Sequence, residues 1–304
     1  MKPNITLTLL IGFYAMAVLG AEVRVPSELI SVQTALVVDL NLGSMKRERL
    51  LKSFTDTVGE EPAAETQVQY DDFVTRFAEA GGATISVVVN MQKDQRDLTE
   101  GVMLVVGING SADAKKVTEF INAFAPDLKY STAPECPKSV DGNLVWYQKT
   151  YVLPKPSAEK RKAFDFAYTQ LPTGQSFTVV LISDANAAEQ ATSTLGTDEA
   201  DMVSALMMGQ GICLFSNIGI SDQPELKMLV LTADAAAAAK NAKVAAELIV
   251  EMKKKLPSPF ERVLDYLKVS EAGSNVQVSI ALPDWTKIAR DVMAATATGA
   301  GATK

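Results

Sequence analysis

The chain has 304 residues, 47% of them hydrophobic and 21% charged, with a formal net charge of −7 and no histidine. That composition excludes a fibre, a coiled coil or a largely disordered chain, and so acidic a surface disfavours nucleic acid and anionic lipid as partners. The missing imidazole removes Ser-His-Asp and Cys-His catalysis, His-ligated zinc or haem, and imidazole-based pH switching.

Lys2 precedes an apolar run from Ile5 to Leu19, and the small residues Gly20-Ala21 follow. A positive charge, about 15 apolar residues and a small-residue exit describe a secretory leader over residues 1–21. The run is short for a membrane span, which needs roughly 20 residues, although an uncleaved anchor has the same opening. No later segment is apolar enough to span a bilayer. The expectation is an exported protein, periplasmic, in the cell envelope or extracellular.

Residues 22–153 form a first half. It opens with the strand Thr34–Leu40, then helical stretches near Ser44–Thr55 and Tyr70–Ala80, and strands over Ala83–Met91 and Val102–Ile108. A helix to about Phe124 follows, and Asp141-Gly142 leads into a strand Asn143–Leu153. Residues 154–295 repeat that order behind a linking helix, Ser157–Gln170. Strands are expected at Ser176–Ser183, Gly211–Asn217, Leu226–Leu231 and Asn275–Leu282, and helices near Asp184–Leu195, Asp198–Met208 and Ala235–Lys254. The capping box Ser258-Pro259-Phe260-Glu261 starts one short helix, and an amphipathic helix spans Trp285–Ala294. A Gly/Ala/Thr tail, 296–304, has the composition of a disordered end.

Each half therefore reads β-α(α)-β-β-α-β, which gives the fold expectation: α+β, a tandem duplication of ferredoxin-like halves, antiparallel sheets with helices on one face. Val102-Met103-Leu104-Val105-Val106 aligns by residue type with Lys227-Met228-Leu229-Val230-Leu231. The fold order carries no function with it.

No phosphate loop, nucleophile elbow, Cys-x-x-Cys or cation loop occurs, so no cofactor and no metal site is predicted. Ser157-Ala158-Glu159-Lys160 matches S-x-x-K, but its companion motifs are missing, and Ser157 reads as a helix N-cap. Acidic pairs at Asp71-Asp72 and Asp198-Glu199 stand where helices are expected to start and complement the helix dipole. Asp39 interrupts an apolar strand and would need a partner if it points inward. Cys136 and Cys213 could pair in an oxidising compartment, or stand as two separate thiols.

The best binding candidates are Trp146, Tyr147, Lys149 and Tyr151, an aromatic strand at what the fold makes a sheet edge, open to a peptide strand or a ligand. The functional expectation is a non-enzymatic protein that binds or assembles through sheet edges or faces, with a protein or a second copy as partner. The alternatives are a carboxylate-based hydrolase using several of Asp39, Asp71, Asp72, Asp184 and Asp198, and a carrier of a small apolar ligand.

Overall fold

The computed structural model describes residues 25–40, 60–91, 101–110, 112–125, 132–172, 175–182, 210–217, 225–255 and 264–281, with 42, 48, 49, 52, 55, 220, 221 and 287. The expected leader, the helices expected over Asp184–Leu195 and Asp198–Met208, the capping box and the expected disordered tail lie outside these residues, as do most of the Ser44–Thr55 and Trp285–Ala294 stretches.

Ten strands are described: β1 (Thr34–Leu40), β2 (Gly82–Asn90), β3 (Val102–Ile108), β4 (Lys138–Val140), β5 (Asn143–Tyr147), β6 (Phe177–Ile182), β7 (Gly211–Ser216), β8 (Glu225–Leu231), β9 (Lys268–Ala272) and β10 (Asn275–Ala281). The described helices are α1 (Glu60–Ala80), α2 (Ala114–Phe124), α3 (Ala158–Thr169) and α4 (Ala235–Lys255).

All ten strands join one sheet, in the order β4-β5-β3-β2-β1-β6-β7-β8-β10-β9. Every pairing is antiparallel. This corrects the ferredoxin-like expectation, because a split β-α-β arrangement needs a parallel pair and an interleaved strand order. Here each half is a meander that ends in a hairpin. The halves are not two separate sheets. They share a seam, where Val37 pairs with Val180, Val38 with Val179 and Asp39 with Thr178.

Alternation along the strands sends side chains to two buried faces. On one face Val38, Leu40, Ile85, Val106, Leu144 and Trp146 pack with Phe77 of α1 and with Val117, Phe120 and Ile121 of α2. Farther along that face α4 lays Ala238 against Val230 and Val276. The opposite face carries Val37, Val88, Met103, Val145, Val180 and Cys213, roofed by Phe164 and Ala167 of α3. Helices thus lie on both faces, not one.

Local chemistry explains several boundaries. α1 starts at Glu60, well before the expected Tyr70, since Pro62 falls in its first turn, where a missing N–H costs nothing. Asp71 and Asp72 are therefore mid-helix and do not complement the dipole at its start. Asp113 caps α2 by accepting from the Lys115 N–H at 2.9 Å. Ser157 caps α3 by accepting from the Lys160 N–H at 3.2 Å, the role expected for it.

β4 and β9 were not foreseen. Each is paired through a two-residue turn, Asp141-Gly142 or Gly273-Ser274. Asp141 and Gly142 both have positive φ, 46° and 73°, as a tight hairpin turn matching strand twist requires.

Candidate functional site

The aromatic strand is not an open edge. Trp146 is 1% exposed and faces the α1–α2 side, whereas Tyr147 and Tyr151 are buried on the α3 side. The strand ends at Tyr147, and Lys149 is exposed in the turn beyond it. β4 pairs with Asn143–Val145, and farther along the Ala133 N–H donates to the Tyr147 carbonyl at 2.9 Å. The Tyr147 hydroxyl donates to Glu135 Oε1 at 2.8 Å, and burial, reinforced by Glu135, pushes its pKa up to about 12. Tyr147 and Tyr151 meet edge to face at 6.3 Å. These side chains form an internal wedge that seals the end of the sheet.

Cys136 and Cys213 are free thiols. Cys136 donates to the Tyr147 carbonyl at 3.6 Å, outside β5, while Cys213 lies on β7. Five inter-strand steps separate β5 from β7 in the sheet, roughly 24 Å at 4.8 Å a step, whereas a disulfide needs Cα atoms within about 7 Å. The possible pairing is corrected by that distance. Burial pushes the Cys213 thiol up to about 12, so it stays protonated.

The described carboxylates do not converge. Asp71 and Asp72 ride on α1, where Asp72 pairs with Arg76 at 3.1 Å near the surface. Asp39 points to the opposite face of the sheet, and Asp184 and Asp198 lie outside the described residues. Among the described residues no group of three His, Cys, Asp or Glu side chains could hold a metal ion, and no helix is long and apolar enough to cross a membrane.

Asp39 itself is 2% exposed at the centre of the seam. Its Oδ2 accepts from the Tyr168 hydroxyl of α3, and its Oδ1 has no hydrogen-bond partner among the described residues. Ser86, its register partner on β2, is buried nearby, close enough to favour the anion but making no hydrogen bond of good geometry. Burial raises the Asp39 pKa to about 7, against the opposing pull of Tyr168 and Ser86.

A different region stands open. Counted from the two hairpin turns, β3 and β5 of the first half match β8 and β10 of the second, since Gly107 pairs with Asn143 as Leu231 pairs with Asn275. In that register Met103, Val145 and Tyr147 correspond to Lys227, Gln277 and Ser279. The first three are buried under the Ala133 and Tyr151 segments, and the second three are partly exposed.

Lys227, Gln277 and Ser279 are polar and half-buried where their counterparts are buried. At one end of this polar stretch lies a cleft of about 370 Å³. Its walls include Pro172, Phe215, Asn217 and Ile220, and at its mouth Lys227 Nζ meets Glu225 Oε2 at 2.7 Å. Apolar patterning alone could not find it, because the signal is the replacement of apolar residues by polar ones at equivalent strand positions. No protein-family model, curated protein or solved structure matches this chain.

Proposed function

We propose that the protein is exported by its leader, arose by duplication of one β-α-β-β-α-β unit with an added hairpin strand, and works by binding rather than by catalysis. The surface is the polar sheet face of the second half, around Lys227, Gln277 and Ser279, with the adjoining cleft. One observation carries this reading: the same strand positions are apolar or aromatic and buried in the first half but polar and only half-buried in the second. A polar, hydrogen-bonding face suits a reversible protein contact, or a second copy, better than an obligate apolar interface.

The strand order supports the duplication, whereas the residue matches do not. Met103 and Met228 face opposite sides of the sheet, so the aligned stretch is one residue out of phase. Both sheet edges are short and carry lysine, Lys138 on β4 and Lys268 on β9, which discourages strand addition. The face is therefore preferred over the edges.

The test has two arms. Cell fractionation with N-terminal sequencing should find the mature chain outside the cytoplasm, beginning near Ala21 or Glu22. In-cell cross-linking should give an adduct that Lys227→Glu with Gln277→Arg abolishes without lowering Tm. A protein retained in the cytoplasm refutes the export arm. An adduct unchanged by the double variant refutes the surface.

A further inference from the structure

The buried carboxylate at the seam is the most unusual group in the described chain. From Ala35 to Leu40 β1 otherwise presents apolar side chains, yet Asp39 stands where the two halves join, opposite Ser86 of β2 and Thr178 of β6. The only described hydrogen bond to its carboxylate comes from Tyr168, one residue before the end of α3. Several polar ties hold α3 and its ends in place. The Ser157 N–H donates to the Ile30 carbonyl at 2.8 Å, Arg161 Nη1 donates to the Val25 carbonyl at 2.7 Å, and Asn275 Nδ2 donates to Gln170 Oε1 at 3.1 Å. Beside Tyr168, between α3 and the Val25–Ile30 segment, lies a cavity of about 10 Å³, the size of one water.

We propose that Asp39 and Tyr168 form a proton-controlled latch, which fastens α3 over the seam while Asp39 carries its proton and lets the helix open locally when the proton leaves. A neutral carboxyl in this setting costs little. A carboxylate with one oxygen unpaired, 2% exposed, is expensive, and the cheapest relief is for α3 to admit water.

Other groups around it do not share the role. On α3, Arg161 is paired with Asp165 at 3.0 Å, and Tyr168 has a pKa far above its usual value through burial and the nearby Asp39. On β7, Cys213 is held up at about 12, and Ser86 and Thr178 do not titrate. Near neutral pH the change of charge beneath α3 thus belongs to Asp39.

The sign follows from linkage. The closed state holds the Asp39 proton with a pKa of about 7, and the open state with an ordinary value near 3.8. Opening therefore becomes more frequent as pH rises between those values, about tenfold per unit, and levels off above 7.

Hydrogen exchange of the full-length protein, read by mass spectrometry from pH 5 to 8.5 and corrected for intrinsic rates, tests this. Wild-type α3 should lose about 50-fold protection between pH 5 and 7 and about twofold more before the plateau, while β2 and β3 change far less. Asp39→Asn should keep α3 protection flat across the range. Equal pH dependence in the two proteins overturns the latch, and so does a loss spread evenly over α3, β2 and β3. Should Asp39→Asn fail to fold, carboxyl-labelled wild type read by infrared spectroscopy decides: titration near pH 4 overturns the proposal, and titration near 7 upholds it.

Discussion

At residue scale the stability of this fold should depend on pH in a direction opposite to that of most acidic proteins. A carboxyl whose folded pKa lies above its unfolded one is destabilising when ionised. Its contribution is most favourable below about 4 and is lost as pH rises to about 7, an effect of about 4 kcal/mol from a shift of roughly 3 units. Asp39→Asn should therefore raise the free energy of unfolding at pH 8 while changing little at pH 4, as read by urea titration. Tyr168→Phe removes the donor to the anion and should cost roughly 1.5–3 kcal/mol at pH 8, and less at pH 4 where the carboxyl is neutral. Phe164, 2% exposed beneath α3, is an ordinary anchor, and Phe164→Ala should cost about 3–5 kcal/mol at any pH in the same titration. The sequence already marked Asp39 as out of place in an apolar strand. That it is buried depends on a helix about 130 positions later, which no local pattern reports.

At the scale of elements, eight of the ten strands are legible from alternation and β-branched runs, and so are the extents of α2, α3 and α4. The two missing strands, β4 and β9, are three and five residues long and mostly exposed, so neither has an apolar pattern to read. Their signal was the turn. Asp141-Gly142 is a strong hairpin dipeptide, and reading it only as the entry to β5 lost the strand before it. Gly142→Val should cost about 1–2 kcal/mol, because a β-branched residue resists positive φ, and should increase amide exchange in β4 ahead of β5. Trp146 and Tyr147 lie on β5 and Tyr151 beyond it, but all three are buried where an open edge was expected. The strand β4 and the Thr132–Cys136 segment that close the edge are short, irregular or both. Trp146→Ala should therefore behave as a core deletion costing about 3–5 kcal/mol in thermal or chemical unfolding.

At the scale of the whole molecule, the sequence showed a repeated order of elements but not how the halves meet. Strand order is a matter of long-range pairing, and two small sheets and one wide sheet share the same local patterns. The polar face of the second half was hidden for a related reason: Gln277 and Ser279 look like ordinary outward residues of a half-solvated strand. Only their equivalence in register to Val145 and Tyr147 of the first half shows that half-buried polar residues replace a buried pair there.

The seam has one more consequence. β1 and β6 are joined by main-chain hydrogen bonds along five paired positions, and both are edge strands of their own halves. Expressed as separate polypeptides divided between Tyr151 and Ser157, each half would be left with a long apolar border hungry for a mate. Alone, either piece should precipitate or couple to itself. Produced together, the two should find one another and complement, recovering the far-UV spectrum of the intact protein.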